Sequence, residues 1–482
     1  MKKSFYITTT LPYVNANPHM GHALEFIRAD IIARWKGLSG YEVFFNTGTD
    51  EHGQKIFDAA LKAGKPIRDY VDEYANNFKK LLPKLGMSEG VQFIRTTDKH
   101  HEKSAQEFWK IVEKNGFIYK KNYKAKYCVG CEETKTESEL VNGKCPVHDT
   151  VSQIVEEENY FFKFSAFGDK LIKLYDTHGH NIVPDFRMNE MREFIKHGLD
   201  DFSISRLKKK MTWGVPVPND ADHIMYVWFD ALTNYISTLG WPEDQKNFEK
   251  FWKNGTPTQY CGKDNTRFQS VMWQAMLLAA GLPPTHTVVV NGFVTGDGGI
   301  KMSKSLGNVV DPIDILNEYS TEALRYFVSC EISPFEDSPF TMDRFKNAYN
   351  TNLANGLGNL VSRIMKMATT HLEKPVEISN EIFENILPTE YKKALDSFDI
   401  QTASNIIWKY IGDADQLIQE KTPFKLVKTN KVAAVLIIKD LCTRLYNIGI
   451  LLEPILPKTS EVIKKLVKEN KMPDAPLFLR KE

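Results

Sequence analysis

Long hydrophobic runs are missing from this 482-residue sequence. No stretch of about 18 apolar residues occurs, so no segment reads as a bilayer-spanning helix. The opening, MKKSFYITTTLPY, has lysines but neither a long apolar core nor a small-residue cleavage site. It does not read as a secretory leader, and a cytoplasmic location is expected. Net charge is also nearly absent, with 62 Lys and Arg against 61 Asp and Glu. Bulk charge therefore predicts no nucleic-acid partner and leaves that case to local clusters such as RLKKKM, Arg206 to Met211. Six cysteines are too few for a disulfide framework in a chain of this size, although three of them lie close together. Internal repeats and low-complexity segments are absent too. What remains is 42% hydrophobic and 26% charged residues with mean hydropathy −0.36, a globular composition too long for one core. Two to four domains are expected.

SFYITTTL reads as a strand. ALEFIRADIIARWKGLSG reads as a helix, with Leu24, Ile27, Ile31, Ile32 and Trp35 near 3.6-residue spacing, and YEVFFNTGTD as a second buried strand. That order opens a parallel βαβ unit, whose ligand crevice lies at the carboxyl ends of the strands. From about Tyr119 to Asp149 short polar segments suggest an insertion. ENYFFKFSAF and THTVVVNGFV read as further strands. Beyond Asn347 the pattern is that of long amphipathic helices, which predicts an all-α C-terminal domain.

Three motifs carry chemistry. NPHMGH sets His19 and His22 around Gly21 at the start of the first crevice helix, where backbone N–H groups and the helix dipole favour an anion. By itself this short pattern also fits a helix cap. GGIKMSKSLGN places Lys301 and Lys304 on a glycine-flanked loop, suited to a cationic clamp that closes on phosphates and releases them. CVGC and CPVH give C-x2-C-x13-C-x2-H, with Cys128, Cys131, Cys145 and His148 as tetrahedral ligands. Four protein ligands close the site, so one structural Zn²⁺ per chain is expected.

The H-x-G-H and K-M-S-K-S pair resembles the signatures of the class I aminoacyl-tRNA synthetases. TLPYVNANPHMGHAL, NTGTDEHGQKI, YVWFDALTNYI, GKDNTRFQ, GGIKMSKSLGN and NLVSRI are similar, in order and over nearly the whole chain, to the methionyl-tRNA synthetase family. The resemblance implies an α/β Rossmann-type catalytic domain in two halves, 1–115 and 206–290, interrupted by a zinc-binding insertion, 116–205. A KMSKS loop and linker, 291–345, would lead to an all-α anticodon-binding bundle, 346–482. It implies ATP-dependent activation of methionine, with Mg²⁺ accompanying ATP, and transfer to the terminal adenosine of tRNA(Met). His19, His22, Lys301 and Lys304 would be catalytic, and these four with Gly21 and Asp264 would bind ATP. The methionine amino group would meet the Leu11 carbonyl and Asp50. Tyr13, Trp228, Ala231, Tyr235, Phe268 and Trp273 would line the thioether pocket, a fitting set for a group that packs against rings and hardly hydrogen-bonds.

Without the resemblance, Asp50 reads equally as a helix cap and the aromatic residues as core. Gln269 and Gln274 depart from the family's usual His and Pro, which leaves the polar end of the pocket open. Homocysteine is one methyl smaller than methionine, worth only ~1–3 kcal/mol by binding, so hydrolytic editing is a reasonable expectation. Asn355, Asn359 and Arg363 share one helix face and would read the anticodon. Phe424 after Pro423 stands where the family has Trp; a solvated helix face is the alternative. The ending FLRKE lacks a β-rich extension of the kind that supports dimers in some relatives, so a monomer is expected. Branched-chain synthetases share both signatures but would carry a large editing insertion. A small nucleotidyltransferase leaves the zinc motif and helices unexplained, and a zinc-containing RNA-binding protein without catalysis would show no amino-acid-dependent exchange of pyrophosphate into ATP.

Overall fold

A computed structural model describes residues 2–131, 133–135, 139–177, 179–299, 310–378 and 387–482. Lys301 and Lys304 lie outside the described residues. The chain divides into two compact units. The first comprises Met1–Pro18, Tyr41–Leu82 and Glu89–Val290; the second comprises His19–Gly40, Pro83–Ser88 and Asn291–Glu482.

In the first unit a six-stranded sheet runs in the order Gln92–Arg95, Glu42–Thr49, Ser4–Thr8, Thr256–Gly262, Thr287–Asn291, Asn181–Val183. Ser4–Thr8 pairs in parallel with both of its neighbours. The strands read as continuous apolar runs because both sheet faces are covered: Thr287–Asn291 is buried at every residue. Strand order reverses between Ser4–Thr8 and Thr256–Gly262, so the loops leaving their carboxyl ends border the crevice typical of open parallel sheets. One core cluster gathers Phe108, Trp109, Phe162, Phe229, Trp252 and Trp273 with residues of the central strands.

The insertion forms a separate four-stranded sheet built on Ile118–Cys128 and Gln153–Phe162, antiparallel over ten residue pairs from Ile118↔Phe162 to Tyr127↔Gln153. This eleven-residue strand runs into the stretch that read as short polar segments of an insertion. Lysines alternate with tyrosines along it, and the partner strand supplies acids. Lys124 pairs with Glu156 at 3.2 Å, and Lys120 reaches Glu158 at 3.5 Å and Asp220 at 2.8 Å. These charge pairs lie largely at the surface, while Ile118, Tyr127, Phe161 and Phe162 of the same two strands are buried.

Helix Met20–Leu38 belongs to the second unit, and Leu24, Ile27, Ile31, Ile32 and Trp35 are all buried. Its Asp30 is fully buried. Burial opposes its charge, but Arg325 and Arg34, each at 2.8 Å, and Ser88 outweigh it and lower its pKa. Arg325 also donates to the carbonyls of Leu85, Pro454 and Ile455, so one guanidinium ties three segments together. The longest helices after Asn291 are Asn359–His371, Ile400–Lys421, Lys431–Leu452 and Pro457–Glu469, and they belong to this unit as well. Among the described residues no helix is long and apolar enough to cross a membrane.

Candidate active site and metal-ligand cluster

The loop after strand Ser4–Thr8 and the end of strand Glu42–Thr49 are laced together. Asp50 N–H donates to the Pro12 carbonyl at 2.9 Å, and Val14 N–H donates to the Asp50 carbonyl at 3.2 Å. Leu11 and Asp50 are buried, at 6% and 2% exposure, and Tyr13 is half-buried. Asp50 does not cap the next helix: Gly53 holds that position, without a side-chain hydrogen bond.

Opposite charges fix the residues that follow. The Glu51 carboxylate accepts from Arg95 at 2.6 and 2.8 Å, from Thr97 at 2.6 Å and from Thr49 at 2.7 Å; its N–H donates to Thr96 Oγ1 at 2.9 Å. Trp213 Nε1 donates to the Glu51 carbonyl at 2.6 Å. His52 Nδ1 donates to Asp230 Oδ2 at 2.6 Å, and His101 Nε2 donates to Asp230 Oδ1 at 2.8 Å. Ser237 Oγ lies 2.9 Å from His101 Nδ1. Burial disfavours charge on His52, but the Asp230 carboxylate, with Glu102 and Glu51 behind it, raises its pKa overall. Burial likewise opposes ionisation of Asp230, yet the charge of His52 and the hydrogen bonds from both imidazoles hold its pKa down at about 2.

Asp230 sits between Trp228 and Ala231 on a short helix, Val227–Ala231, and so joins the Asp50–His52 segment to the aromatic wall. Trp228 stacks on Phe268 with ring centroids 3.8 Å apart and planes within 5°, and Tyr13 meets Trp228 edge-on at 6.1 Å. Tyr235 and Trp273 pair at 5.9 Å, while Trp273 also packs on Phe108 and Trp252 as part of the core. Ala231 is buried at 6% exposure. Gln269 and Gln274, the two departures from the family pattern, belong to one buried polar chain. Gln269 Nε2 donates to Thr10 Oγ1 at 2.8 Å, and Gln274 bonds the Gln269 carbonyl and both Thr285 N–H and Oγ1. Gln269 Oε1 and Trp228 Nε1 are buried and bond no other atom among the described residues, a condition that a polar ligand group relieves.

The histidine motif has its own local logic. His19 Nδ1 accepts from Gly21 N–H at 3.1 Å, and His19 N–H donates to His22 Nδ1 at 3.2 Å, so the two side chains cap helix Met20–Leu38 reciprocally. Both Nδ1 atoms are acceptors, which assigns the ring protons to Nε2. The rings stack at 3.7 Å, and burial together with the charge of His19 keeps the His22 pKa well below the ordinary 6.5. A Cβ on Gly21 would stand 2.9 Å from the His19 ring, so a larger residue there would displace the capping imidazole. Asp264 is exposed on a short 3-10 turn, Lys263–Asn265.

The four cysteine and histidine ligands converge. Their donor atoms lie within 4.8 Å of one another, with His148 Nδ1 at 3.9, 3.4 and 3.8 Å from the sulfurs of Cys128, Cys131 and Cys145. Thiolates about 2.3 Å from a tetrahedral zinc stand roughly 3.8 Å apart. Cys131 and Cys145 at 3.5 Å fit that edge without forming a disulfide. Gly130 lets the His148 ring approach, since a Cβ there would lie 2.6 Å from it.

In the second unit Asn355 and Asn359 are exposed, while Leu353, Leu357, Leu360 and Ile364 are buried. The backbone is a π-helix over Tyr349–Gly358 and an α-helix from Asn359 onward. Arg363 pairs with Asp415, and Phe424 is 45% exposed beside the buried Pro423.

Sequence reasoning passed over Asp230, His52, His101 and the Glu51–Arg95 pair. For Asp230, Glu51 and His52 the only signal was their place inside the segments YVWFDA and TDEHG; His101 and Arg95 lie in neither, far away in sequence from the partners they hold.

The family model for class I tRNA synthetases (M) matches residues 5–153 and 130–365. The chain belongs to the class I tRNA synthetases, in the methionine family of that class. It is 41% identical to the methionine-tRNA ligase of Caldanaerobacter subterraneus subsp. tengcongensis over 472 residues, covering 95% of this chain and 73% of that protein. The methionine-tRNA ligase of Thermotoga maritima is 38% identical, covering 97% of this chain and 76% of its own length. Among solved structures, Mycobacterium tuberculosis methionyl-tRNA synthetase in complex with methionyl-adenylate superposes with a TM-score of 0.89 at 36% identity, covering 97% and 94% of the two chains.

Proposed function

We propose that this chain is a methionine-tRNA ligase, activating methionine with ATP and transferring the methionyl group to tRNA(Met). The observation that carries the reading is the aromatic wall of Tyr13, Trp228 and Phe268 joined through Asp230 to the Asp50 segment. Rings suit a thioether, and a buried carboxylate suits an ammonium group.

In the first step a methionine carboxylate oxygen attacks the α-phosphorus of ATP, and the bond to the bridging oxygen breaks as pyrophosphate leaves. His19 and His22 present Nε2–H donors to the phosphate oxygens as charge grows on them, and Lys301 and Lys304 supply the positive charge. Asp264 contacts the adenosine. Mg²⁺ accompanying ATP would neutralise phosphate charge. In the second step a ribose hydroxyl of the terminal adenosine, the 2′-OH by family resemblance, attacks the adenylate carbonyl and AMP departs. Cys128, Cys131, Cys145 and His148 would hold zinc, which fixes the tip of the insertion. Asn355, Asn359, Arg363 and Phe424 would meet the anticodon, and the reaction would take place in the cytoplasm.

Pyrophosphate exchange into ATP, run without tRNA for each of the twenty amino acids, tests the first step. Exchange with methionine alone is the expected result, followed by charging of tRNA(Met). Exchange with a different amino acid would overturn the pocket assignment.

A further inference from the structure

The cluster RLKKKM, Arg206 to Met211, has no part in the chemistry above, yet it borders a cavity of about 310 Å³ in the first unit. We propose that this cavity receives one unpaired cytidine of the C-C-A end of tRNA. The proposal rests on the ligase reading and adds a subsite to it.

The cavity's lining explains the choice of ligand. Arg206 lies between two rings, 4.8 Å from the centroid of Tyr127 and 5.0 Å from that of Tyr226, and its Nη1 donates to Ser203 Oγ and the Ser205 carbonyl. It is therefore a cation locked in place. Lys210 Nζ is 2.8 Å from Glu157 Oε2, whose side chain is only 1% exposed and also accepts from Asn159 at 2.8 Å. Asp58 adds a second carboxylate to the lining, held by Gln54 Nε2 at 2.7 Å. A phosphate chain alone would face two carboxylates, and an apolar group would leave all four charges unsolvated. A nucleotide satisfies both signs. Its phosphate meets Arg206 and Lys210, its base lies among aromatic residues, and a carboxylate accepts from the exocyclic amino group of cytosine. The volume is at the small end of ligand pockets, enough for one base and its sugar and too small for a folded stem.

Chain continuity places this subsite where an acceptor end must pass. Gly53, on the cavity wall, follows His52 directly, and Val227 directly precedes Trp228. The cavity lip and the methionine-pocket wall are consecutive residues.

Asp58→Asn and Lys210→Ala alter exposed side chains, and both variants are measured by exchange without tRNA and by charging of transcripts. The transcripts end in C-C-A or carry uridine in place of either cytidine. Exchange is expected to stay within about twofold, while kcat/KM for C-C-A tRNA falls roughly tenfold, the scale of one hydrogen bond to a charged group. One of the uridine transcripts, whose O4 accepts rather than donates, is expected to charge poorly with the wild type and to be restored in part by Asp58→Asn. Parallel losses in exchange and charging would assign these residues a structural role and overturn the subsite. Unchanged charging of every transcript would overturn it as well. A wild type that exchanges with methionine but charges no tRNA would instead defeat the ligase reading beneath it.

Discussion

Between Asp50 and His52, backbone and side chains alike are held by partners drawn from four segments: Pro12 and Val14, Thr96 and Arg95, Trp213, and Asp230. On the helix through Asn355 and Asn359, by contrast, these two amide side chains stand in solvent over a packed apolar face. Both regions would present polar groups to a ligand. The buried one is organised before the ligand arrives, so less ordering entropy is lost on binding. The exposed one can be changed at little cost to the fold, but it must order its side chains when it binds. This contrast predicts that mutations in the first region damage stability and activity together, while those in the second separate them.

The largest effect is expected at Asp230. Asp230→Asn removes the charge between two imidazoles in a site 1% exposed, and breaking a buried ionic cluster typically costs ~3–5 kcal/mol. Urea unfolding should show that loss, together with a raised KM for methionine in the exchange assay. A variant as stable as the wild type would contradict the stapling role. A smaller effect follows from pH. The Asp230 pKa falls from 3.8 to about 2 on folding, so its contribution is fully present above pH 3.8 and is lost as pH falls through about 2. His52 has the opposite sign: its raised pKa gives stability that is present below 6.5 and is lost as pH rises past the folded value. Melting temperature measured against pH should lose part of its acid slope between pH 3.8 and 2 in Asp230→Asn. An unchanged slope would show that other carboxylates carry it.

The same contrast explains what could be read from the sequence. Strand Ser4–Thr8, helix Met20–Leu38 and strand Glu42–Thr49 were visible because apolar periodicity is local, and the C-x2-C-x13-C-x2-H spacing was visible because metal ligands come in pairs. Strand Ile118–Cys128 was hidden because its ladder partner begins 25 residues after it ends, at Gln153, and nothing local announces that pairing. Asp230 was hidden for a related reason: His52 and His101 are 178 and 129 residues away from it. The aromatic residues of the pocket were visible as apolar positions, but nothing local distinguished Trp228, stacked on Phe268, from Trp273, shared with the core.

The smallest effect on the fold, and the clearest separation of fold from function, is expected at Asn359. Its side chain is exposed, so Asn359→Ala should change stability by no more than ~0.5 kcal/mol. Methionine-dependent exchange needs no tRNA and should be unaffected. Charging of tRNA(Met) should fall roughly three- to tenfold in kcat/KM, the range for one lost hydrogen bond to a base. Arg363 differs because it already pairs with Asp415, which also accepts from Gln419. Meeting a base with that guanidinium means loosening an existing ion pair, so Asp415→Asn serves as the companion measurement. If Asn359→Ala charges tRNA as well as the wild type while Asp415→Asn alters charging, the anticodon contact lies with Arg363, and the asparagines are simply the solvated side of the helix.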